Sequence, residues 1–512
     1  MFTSHRFTER LATVTAVLLV SYALATSVWE ARHRAFWFDE VFTAVLAEKP
    51  RFDEIVTALK QATDTSGPAY YVVQRASRAL VDDPHLAYRL SSAIAVPLTA
   101  FLLFMVARRE VGAIPALAAL FIVLGSQLYH GYSVEARPYA LLVLGAAASA
   151  LAWQRADSRR WATAFGVTLV GAVALHYYAV FMLPVFAAAE AMRSFRTRRV
   201  LWRVWTAIAC GGLTLAALWP FLSAVRTYYG ENYWSTPSIG KVLSTYDTLS
   251  GFGAGGLGLG VALVISCGLL LMLARAVNQP SPPAGTPAPE LLVLALGCIG
   301  LPVIVSGVAW VMGGGYADRY ALGCLVGIAL GGAFTVRMLP GNTATTLVLA
   351  MGVIFAAREL AFWGAGEPGS RLRQGPAMNT HQHVLARAVE MGLPLVVGSA
   401  LDVVPLAYYN AEADSPIVAV ADHQLALRYA GTDSLDRDLV VFSRHFPLRV
   451  ESLTAIAAQH PSFLLLTRPG PFSWPALHLA HTGHSLRVIE QRGVFTLFEV
   501  EPAGGDGSAV VR

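Results

Sequence analysis

The chain is poor in charged residues and in cysteine. Only 14% of its 512 residues are charged, against about 25% in an average soluble domain, which excludes an ordinary soluble enzyme. A disordered chain is also excluded, because 55% of the residues are hydrophobic. The four cysteines lie in apolar runs without CxxC spacing, so buried thiols are favoured over a disulfide scaffold or a zinc site.

Nucleotide-binding and nucleic-acid-binding signatures are missing as well. The sequence contains neither GxGxxG nor GxxxxGK[ST], the glycine patterns that hold phosphates at a helix N-terminus. A net charge of +5 is the only feature in favour of a nucleic-acid partner. The arginines behind that charge lie mostly at the ends of apolar runs, so they indicate membrane topology and no nucleic-acid surface.

Long apolar runs are abundant, and about 20 such residues are enough to span a membrane. We predict eleven spans: 11–28, 86–107, 112–128, 139–154, 161–178, 179–192, 201–222, 251–274, 291–312, 320–336 and 343–363. The first run contains Ala23-Leu24-Ala25, which could be a signal-peptidase site, but we favour an uncleaved anchor. Residues 66–80 are too short for a span and carry two arginines, so an interfacial helix is predicted there.

The distribution of arginine orients these spans. With the N-terminus in the cytoplasm, the cytoplasmic segments hold fourteen arginines: Arg6, Arg10, Arg108, Arg109, Arg155, Arg159, Arg160, Arg193, Arg196, Arg198, Arg199, Arg203, Arg275 and Arg337. The short outside loops hold few basic residues: Arg137, Arg226, Lys241 and Arg319. An odd number of spans then places the tail outside.

The tail, residues 365–512, has a different pattern. Short apolar runs predict strands at 394–398, 417–420, 439–442 and 463–467, and helix-like stretches lie between them at 380–392, 422–430 and 450–459. This alternation is typical of βαβ units with a mostly parallel sheet, and 485–490 with 494–500 predicts a terminal hairpin. The predicted fold is a polytopic α-helical membrane protein with a C-terminal α/β domain. Its boundaries are 1–364, including a first outside loop at 29–85 with interfacial helices, and 365–512. A proline-rich cytoplasmic linker is predicted at 279–289.

Polar and aromatic residues concentrate in the loops predicted to lie outside, at 37–40, 129–139, 176–178, 228–234 and 313–320. Ionisable residues near a membrane are costly and usually functional, whereas interfacial aromatics are expected in any membrane protein. Asp39 and Glu40 form a carboxylate pair that could supply a general base. The same pair could instead be an acidic first turn that favours a helix over 41–47, and the spacing does not decide between these interpretations.

Three further loops carry candidate binding residues. Arg137 and Arg319 could bind an anion, since arginine matches phosphate with two hydrogen bonds, or could pair with Glu135 and Asp318. His176 could bind a phosphate or a metal ion, or could be structural. Glu135 could position an acceptor hydroxyl or form a salt bridge with Arg137.

Four segments taken in order resemble a known family. They are Trp-Phe-Asp-Glu at 37–40, Thr-Ser-Gly-Pro-Ala-Tyr-Tyr at 65–71, Ser-Val-Glu-Ala-Arg-Pro-Tyr at 133–139 and Asp-Arg-Tyr at 318–320. The pattern is similar to that of C-type (GT-C) glycosyltransferases, in particular the protein O-mannosyltransferases and the lipid A aminoarabinose transferase. The resemblance covers residues 1–340, and the His-Pro-Pro motif of many members is replaced here by Ser-Gly-Pro.

The resemblance implies an integral-membrane transferase that moves a sugar from a polyprenyl-phosphate donor to an extracytoplasmic acceptor with inversion. It implies a multi-pass protein of the bacterial plasma membrane, active in cell-envelope glycan biosynthesis, with a periplasmic tail. Asp39 and Glu40 would be catalytic, and Arg137, Arg319 and His176 would bind the donor phosphate. The substrate contacts would be Glu135, Tyr70, Tyr71, Tyr139 and Tyr320. No cofactor is certain, although some members use a divalent metal such as Mg, Mn or Zn, which Asp39, Glu40 and His176 could bind.

Two other functions remain open from the sequence. A transporter or flippase for a lipid-linked glycan would need polar span centres and internal symmetry. The span centres are nearly free of ionisable residues, and only the glycine-rich run 251–260 hints at a broken helix. A non-catalytic envelope assembly protein would have no need of Asp39.

Overall fold

A computed structural model describes residues 2–230, 232–250, 255–278, 285–364, 375–411, 415–470 and 473–502. Most of the predicted linker at 279–289 therefore lies outside the described residues, as does the start of the glycine-rich run 251–260. The beginning of the tail, 365–374, is outside them too.

The chain forms two compact units. The first comprises Met1–Arg32, Ser66–Pro220 and Ser235–Ala365, and the second comprises His33–Thr65, Phe221–Trp234 and Gly366–Arg512. Each unit is thus built from three segments of the chain, whereas the sequence predicts a single boundary at 364/365. Parts of two predicted outside loops, 33–65 and 221–234, pack with the tail.

In the described residues before the tail there are seventeen α-helices. They are α1 (Phe2–His33), α2 (Phe38–Ala47), α3 (Phe52–Lys60), α4 (Pro68–Leu80), α5 (Pro84–Val111), α6 (Ala113–Gly125), α7 (Gln127–Ser133), α8 (Tyr139–Trp153), α9 (Arg159–Leu175), α10 (Met182–Thr197), α11 (Trp202–Tyr229), α12 (Ile239–Ser250), α13 (Leu257–Asn278), α14 (Pro289–Ile299), α15 (Leu301–Met312), α16 (Cys324–Arg337) and α17 (Gly341–Gly364). Two 3₁₀ turns, Tyr177–Phe181 and Asp318–Ala321, precede α10 and α16.

The predicted apolar runs all fall on helices. Among the described residues, six helices are long and apolar enough to cross a membrane, and the pair α14 and α15, bent by 50°, would be a seventh. The helices α6, α8 and α16 are apolar but shorter, and α9 lies in the predicted run 161–178. The prediction of a polytopic helical membrane protein is thus confirmed, and the exact number of eleven crossings stays a prediction.

Large apolar side chains cover the outside of these helices. Trp310 is 75% exposed, Val311 77%, Val264 66% and Val353 67%, far more than a water-facing surface would tolerate over such lengths. Such an apolar surface is what a lipid-facing helix presents.

Ion pairs join helix ends that the sequence assigns to one side of the membrane. Arg108 at the end of α5 binds Glu9 at the start of α1 at 3.3 Å. Arg196 at the end of α10 makes a two-pronged contact with Glu290 at the start of α14, at 3.0 and 2.6 Å. These contacts join two pairs of helix ends that the sequence assigns to the cytoplasm, and the orientation of those ends in the membrane stays a prediction.

The second unit contains the sheet. The tail forms α18 (Gly375–Met391), β1 (Leu395–Val397), α19 (Ala400–Tyr409), β2 (Ile417–Val420), α20 (His423–Ala430), α21 (Ser434–Phe442), β3 (Val450–Glu451), α22 (Leu453–Gln459), β4 (Phe463–Thr467), α23 (Trp474–His481), β5 (Ser485–Arg492) and β6 (Phe495–Glu501). The strand order is β3-β2-β1-β4-β6-β5. The strands β3, β2, β1 and β4 are parallel, while β6 is antiparallel to β4 and β5.

The predicted C-terminal α/β domain with a mostly parallel sheet and a terminal hairpin is therefore confirmed. One predicted strand is wrong, because 439–442 is the end of the helix α21. A four-residue apolar run does not by itself distinguish a strand from a buried helical turn. Here Leu439, Val441 and Phe442 are all buried within the helix.

Candidate functional site

In the first unit, three predicted site residues from different loops meet around the ring of Tyr139. The guanidinium carbon of Arg137 lies 5.8 Å from the ring centroid, and that of Arg319 lies 5.6 Å from it. The imidazole of His176 packs against the same ring at 5.3 Å. The ring attracts both guanidinium groups, whereas the two cations repel each other. Guanidinium groups bind oxyanions, so an anion beside them would reduce that repulsion.

Local structure explains the position of Tyr139 and Arg137. Tyr139 is the first residue of α8, and Pro138 is the N-cap of that helix. The carbonyl oxygen of Arg137 accepts a hydrogen bond from the Ser92 hydroxyl on α5 at 3.1 Å. Arg137 is 4% exposed, and Glu135 in the same turn is half-buried. The guanidinium of Arg137 is thus held in a largely dry environment, where its charge acts strongly.

His176 occupies the junction between α9 and the 3₁₀ turn at Tyr177–Phe181. Its Nδ1 accepts a hydrogen bond from the backbone N–H of Tyr178 at 3.2 Å, and the residue is 3% exposed. An accepting Nδ1 leaves the proton of the neutral ring on Nε2. His176 can therefore donate one hydrogen bond from Nε2 while its backbone turn stays fixed.

Tyr178 also belongs to this cluster, although the sequence did not single it out within the segment 176–178. Its ring stacks on Tyr320 with the centroids 4.1 Å apart and the planes at 6°. The guanidinium of Arg319 lies 5.4 Å from the Tyr320 centroid. The His-Tyr-Tyr junction contained a signal, but tyrosines at a membrane interface are too common for the stacked pair to be predicted.

Asp318 makes a different contact from the one that its neighbour Arg319 would suggest. The Thr245 hydroxyl on α12 donates to Asp318 Oδ1 at 2.8 Å and also contacts the Tyr316 hydroxyl at 2.8 Å. This network ties the start of the 3₁₀ turn Asp318–Ala321 to α12. The network fixes the backbone of the turn that presents Arg319 and Tyr320.

The helix α4 carries Tyr70 and Tyr71, and both side chains are fully buried. Their rings form an edge-to-face pair with centroids 5.8 Å apart. Gly67, the residue before α4, lies against the end of α9, where a Cβ atom would be 2.6 Å from the carbonyl oxygen of Ala174. Only glycine permits this approach, which places the start of α4 beside the chain that leads into His176.

The second unit contains Asp39 and Glu40, both in the first turn of α2. Glu40 is fully buried, and its Oε2 accepts a hydrogen bond from the backbone N–H of Trp37 at 3.2 Å. Glu40 thus closes the N-terminus of α2, which is the helix-stabilising role that the sequence left open. Asp39 is half-buried, so its carboxylate keeps access to solvent.

The segment before α2 is held by the tail. The backbone N–H of Phe36 donates to the Tyr409 hydroxyl at 2.7 Å, and the ring of Phe42 packs on Phe442 at 4.5 Å. Thr63 contacts His445 Nε2 at 3.0 Å, and burial lowers the pKa of His445 to about 4. His445 therefore stays neutral at physiological pH, so this anchor carries no charge that titrates there.

Metal binding was considered for Asp39, Glu40 and His176. Within the described parts of the chain, no three His, Cys, Asp or Glu side chains lie close enough together to hold a metal ion. Glu40 already accepts a backbone hydrogen bond in the helix cap. Within the described residues, Asp39, Glu40 and His176 therefore do not belong to a three-ligand metal site.

Comparisons with known proteins agree with the motifs. Residues 65–223 match the family model of dolichyl-phosphate-mannose-protein mannosyltransferase, which confirms the predicted family resemblance over that range. Two of the four motif segments, 65–71 and 133–139, fall inside it. No curated protein sequence matches the chain.

The chain also resembles two solved structures. The crystal structure of ArnT from Cupriavidus metallidurans in the apo state has a TM-score of 0.45 at 15% identity, covering 96% of this chain and 98% of that one. The structure of ArnT from the same organism bound to undecaprenyl phosphate has a TM-score of 0.43 at 15% identity, covering 95% of this chain and 98% of that one.

Proposed function

We propose that the chain is an integral-membrane glycosyltransferase that takes its sugar from a polyprenyl-phosphate donor and transfers it to an extracytoplasmic acceptor. The observation that carries the proposal is the convergence of Arg137 and Arg319 on Tyr139. These two cations come from loops far apart in the sequence and lie near helix ends, where ionisable groups are costly and usually functional. The match to a family of polyprenyl-type phosphate-sugar transferases supports the same chemistry.

The two arginines would act on the leaving group. As the bond between the anomeric carbon and the lipid phosphate breaks, negative charge develops on the phosphate oxygens. Guanidinium groups in a water-poor site stabilise such developing charge more strongly than water does, because they are already oriented toward it. His176 would add one hydrogen bond from Nε2.

Asp39 would act on the acceptor. Its carboxylate accepts the proton of an acceptor hydroxyl while that oxygen attacks the anomeric carbon from the face opposite the phosphate. The new glycosidic bond forms as the phosphate leaves, so the anomeric configuration inverts. Glu40 supports this step indirectly, because its hydrogen bond to Trp37 fixes the first turn of α2.

Glu135, Tyr70, Tyr71, Tyr139 and Tyr320 are proposed to contact substrate or to shape its site. Aromatic faces suit the apolar faces of a sugar ring and the first isoprene units of the lipid. The proposed setting is the bacterial plasma membrane, with Asp39 and the tail in the periplasm. The acceptor is a glycan, lipid or protein hydroxyl.

Asp39→Asn tests the proposal directly. The amide cannot accept the acceptor proton, so transfer should fall by about 100-fold or more, the usual contribution of a general base. Transfer is measured on purified full-length protein with a panel of polyprenyl-phosphate sugars and an envelope extract as acceptor.

Asp53→Asn is the matched control. Asp53 lies in the first turn of α3, as Asp39 does in α2, but it is exposed and pairs with Arg51 at 2.7 Å. Transfer by this variant should equal that of the unmodified chain. Normal transfer by Asp39→Asn would exclude Asp39 as the base.

A further inference from the structure

The sheet of the second unit has a point where the strand order reverses. The chain passes from β1 to β2 on one side, and β4 pairs with the opposite edge of β1. In open α/β sheets, ligands bind outside the carboxyl ends of the two strands that flank such a reversal. The residues that follow β1 and β4 are therefore the first place to look for a ligand.

Those strand ends carry a compact polar cluster. The N–H of Gly398 after β1 donates to the carbonyl oxygen of Leu466 in β4 at 3.0 Å, so the two ends are tied together. Arg468 follows β4, and its Nε lies 3.2 Å from Asp402 Oδ2 in the first turn of α19. The other oxygen, Asp402 Oδ1, lies 3.5 Å from His381 Nε2 on α18.

Two members of the cluster are buried polar groups without a hydrogen-bond partner in the described part of the chain. Ser399, the N-cap of α19, is 2% exposed, and its hydroxyl neither caps the helix nor bonds elsewhere. The ring of His381, which is 3% exposed, likewise makes no hydrogen bond there, and its Nε2 has only the 3.5 Å ion-pair contact with Asp402. Buried polar groups are almost always satisfied, so two such groups at one strand reversal point to a ligand.

The cluster offers mainly hydrogen-bond donors. Arg468 contributes a guanidinium and Ser399 a hydroxyl. In the first turn of α19 the N–H of Asp402 donates to the Ser399 carbonyl, whereas the N–H groups of Ala400 and Leu401 precede any helical carbonyl that could accept from them. A helix N-terminus and an arginine together favour an oxyanion, and phosphate above all. Arg468 is the member that solvent reaches, since its side chain is 25% exposed.

The geometry argues against a serine nucleophile. An activated serine needs a hydrogen bond to its histidine, but neither the Ser399 hydroxyl nor the His381 ring makes one within the described residues. The backbone of Ser399 is ordinary extended chain, with φ −126° and ψ 125°, and so lacks the strained elbow of such enzymes.

We infer that the strand reversal in the C-terminal sheet binds the phosphate group of a phosphate monoester. Arg468, the Ser399 hydroxyl and the N-terminus of α19 hold the phosphate oxygens, while Asp402 orients Arg468 and His381. The residues of this cluster are other than Asp39 and the residues around Tyr139, and the inference does not rest on the proposed transfer reaction.

The test is isothermal titration of the full chain in detergent with inorganic phosphate and with glucose 1-phosphate, and of the chain in nanodiscs that contain phosphatidic acid. The soluble probes and the lipid distinguish a free phosphate ester from a lipid headgroup. The variants are Ser399→Ala and Arg468→Gln. The control is Arg487→Gln, because Arg487 is 65% exposed and pairs with Glu499 across the hairpin. Any phosphate bound near Tyr139 is common to all four proteins and cancels in the comparison.

Loss of one hydrogen bond to a charged group should weaken binding about tenfold in Ser399→Ala. Arg468→Gln should abolish the binding at the strand reversal and leave only phosphate bound elsewhere, and Arg487→Gln should leave the total binding unchanged. Without phosphate, Ser399→Ala should melt no lower than the unmodified chain, because it removes a hydroxyl that has no partner. Equal binding by all four proteins, or no binding of any probe, overturns the inference. A lower melting temperature of Ser399→Ala with no change in binding overturns it as well, since Ser399 would then be only structural.

Discussion

At the scale of single residues, the carboxylate pair that the sequence could not resolve separates into two roles. Glu40 is buried and bonded to the backbone of its own helix, whereas Asp39 is half-buried. Adjacent residues on a helix point about 100° apart, so one can face the interior while the other keeps solvent access. This difference supports the proposed chemistry at Asp39 and the proposed supporting role of Glu40.

Glu40→Gln and Glu40→Ala test this division of roles. Glutamine retains an oxygen that can accept from Trp37, so Glu40→Gln should fold normally and keep most of its transfer activity. Alanine removes the acceptor and should lower stability by about 1 kcal/mol, the usual effect of losing a helix cap. The measurements are thermal melting in detergent and the transfer assay. A folded but inactive Glu40→Gln would show instead that Glu40 takes part in the chemistry.

The sequence alone predicted the candidate site residues, but not which of them meet. Arg137, His176 and Arg319 converge on Tyr139 because three helix ends meet there, and no spacing in the sequence reports that meeting. The stack of Tyr178 on Tyr320 was invisible for the same reason. The polar cluster at the strand reversal, with Ser399, His381 and Arg468, was also missed, since isolated Ser, His and Arg residues in a tail form no motif.

At the scale of elements, close backbone approaches fix how the site helices pack. Gly67 contacts the carbonyl of Ala174, and Gly327 on α16 contacts the backbone of α14, where a Cβ would lie 2.4 Å from the Ala295 carbonyl oxygen. Small residues let membrane helices approach in this way. The Ser-Gly-Pro sequence, which stands where many family members have His-Pro-Pro, therefore has a packing role of its own.

Gly67→Ala should disturb the site without touching any proposed catalytic group. The added methyl collides with the carbonyl of Ala174, so α4 must shift, at a cost of about 1–3 kcal/mol. We expect a lower melting temperature and a transfer rate reduced about tenfold if α4 shapes the donor site.

Gly171→Ala on α9 is the control for this substitution, because nothing lies within 4 Å of the added methyl. Its melting temperature should be equal or higher, since alanine favours a helix over glycine. Unchanged activity and stability of Gly67→Ala would refute the packing role of that glycine.

The apolar patterns predicted the long apolar helices and the strands β1, β2, β4, β5 and β6. They missed α19 and α23, and β3 lies at the start of the predicted helix 450–459. Residues 439–442, predicted as a strand, are part of α21, which buries Asp436 as well as its apolar residues. A buried carboxylate is not foreseeable from periodicity. Burial, together with the nearby Asp433 and Asp422, raises the pKa of Asp436 to about 7.

This raised pKa makes the stability of α21 depend on pH. The folded form binds the proton more tightly than the unfolded chain, whose carboxyl has the ordinary pKa of 3.8. The stabilisation is complete below that value and is lost as the pH rises through about 7. Hydrogen exchange of a peptide covering 434–442 should therefore be faster at pH 8 than at pH 6, after correction for the intrinsic rate.

Asp436→Asn should abolish most of that difference, because an amide does not titrate. The variant should still fold, since the amide oxygen can accept from the Asp422 N–H, which lies 2.9 Å from Asp436 Oδ1 in the unmodified chain. Glu390→Gln is the control, since Glu390 is an exposed residue that pairs with Arg387. It should exchange as the unmodified chain does. An Asp436→Asn variant with the full pH dependence would refute the titration of Asp436 as its cause.

At the scale of the whole molecule, the scarce charge is arranged by function. Many arginines lie at helix ends, and some of them pair there with acids, as Arg108 does with Glu9 and Arg196 with Glu290. In the short loops predicted to lie on the other side arginines are few, and two of them, Arg137 and Arg319, form the cluster around Tyr139. A transporter would instead need ionisable groups along the middle of its spans.

The most direct test of the account is a transfer measurement on the purified chain in liposomes, supplied with labelled polyprenyl-phosphate sugars and an envelope extract. The account predicts that label passes to an acceptor, that one polyprenyl phosphate is released for each sugar transferred, and that nucleotide sugars are not used. Movement of the intact lipid-linked sugar across the bilayer, with no release of polyprenyl phosphate from any donor, would contradict it.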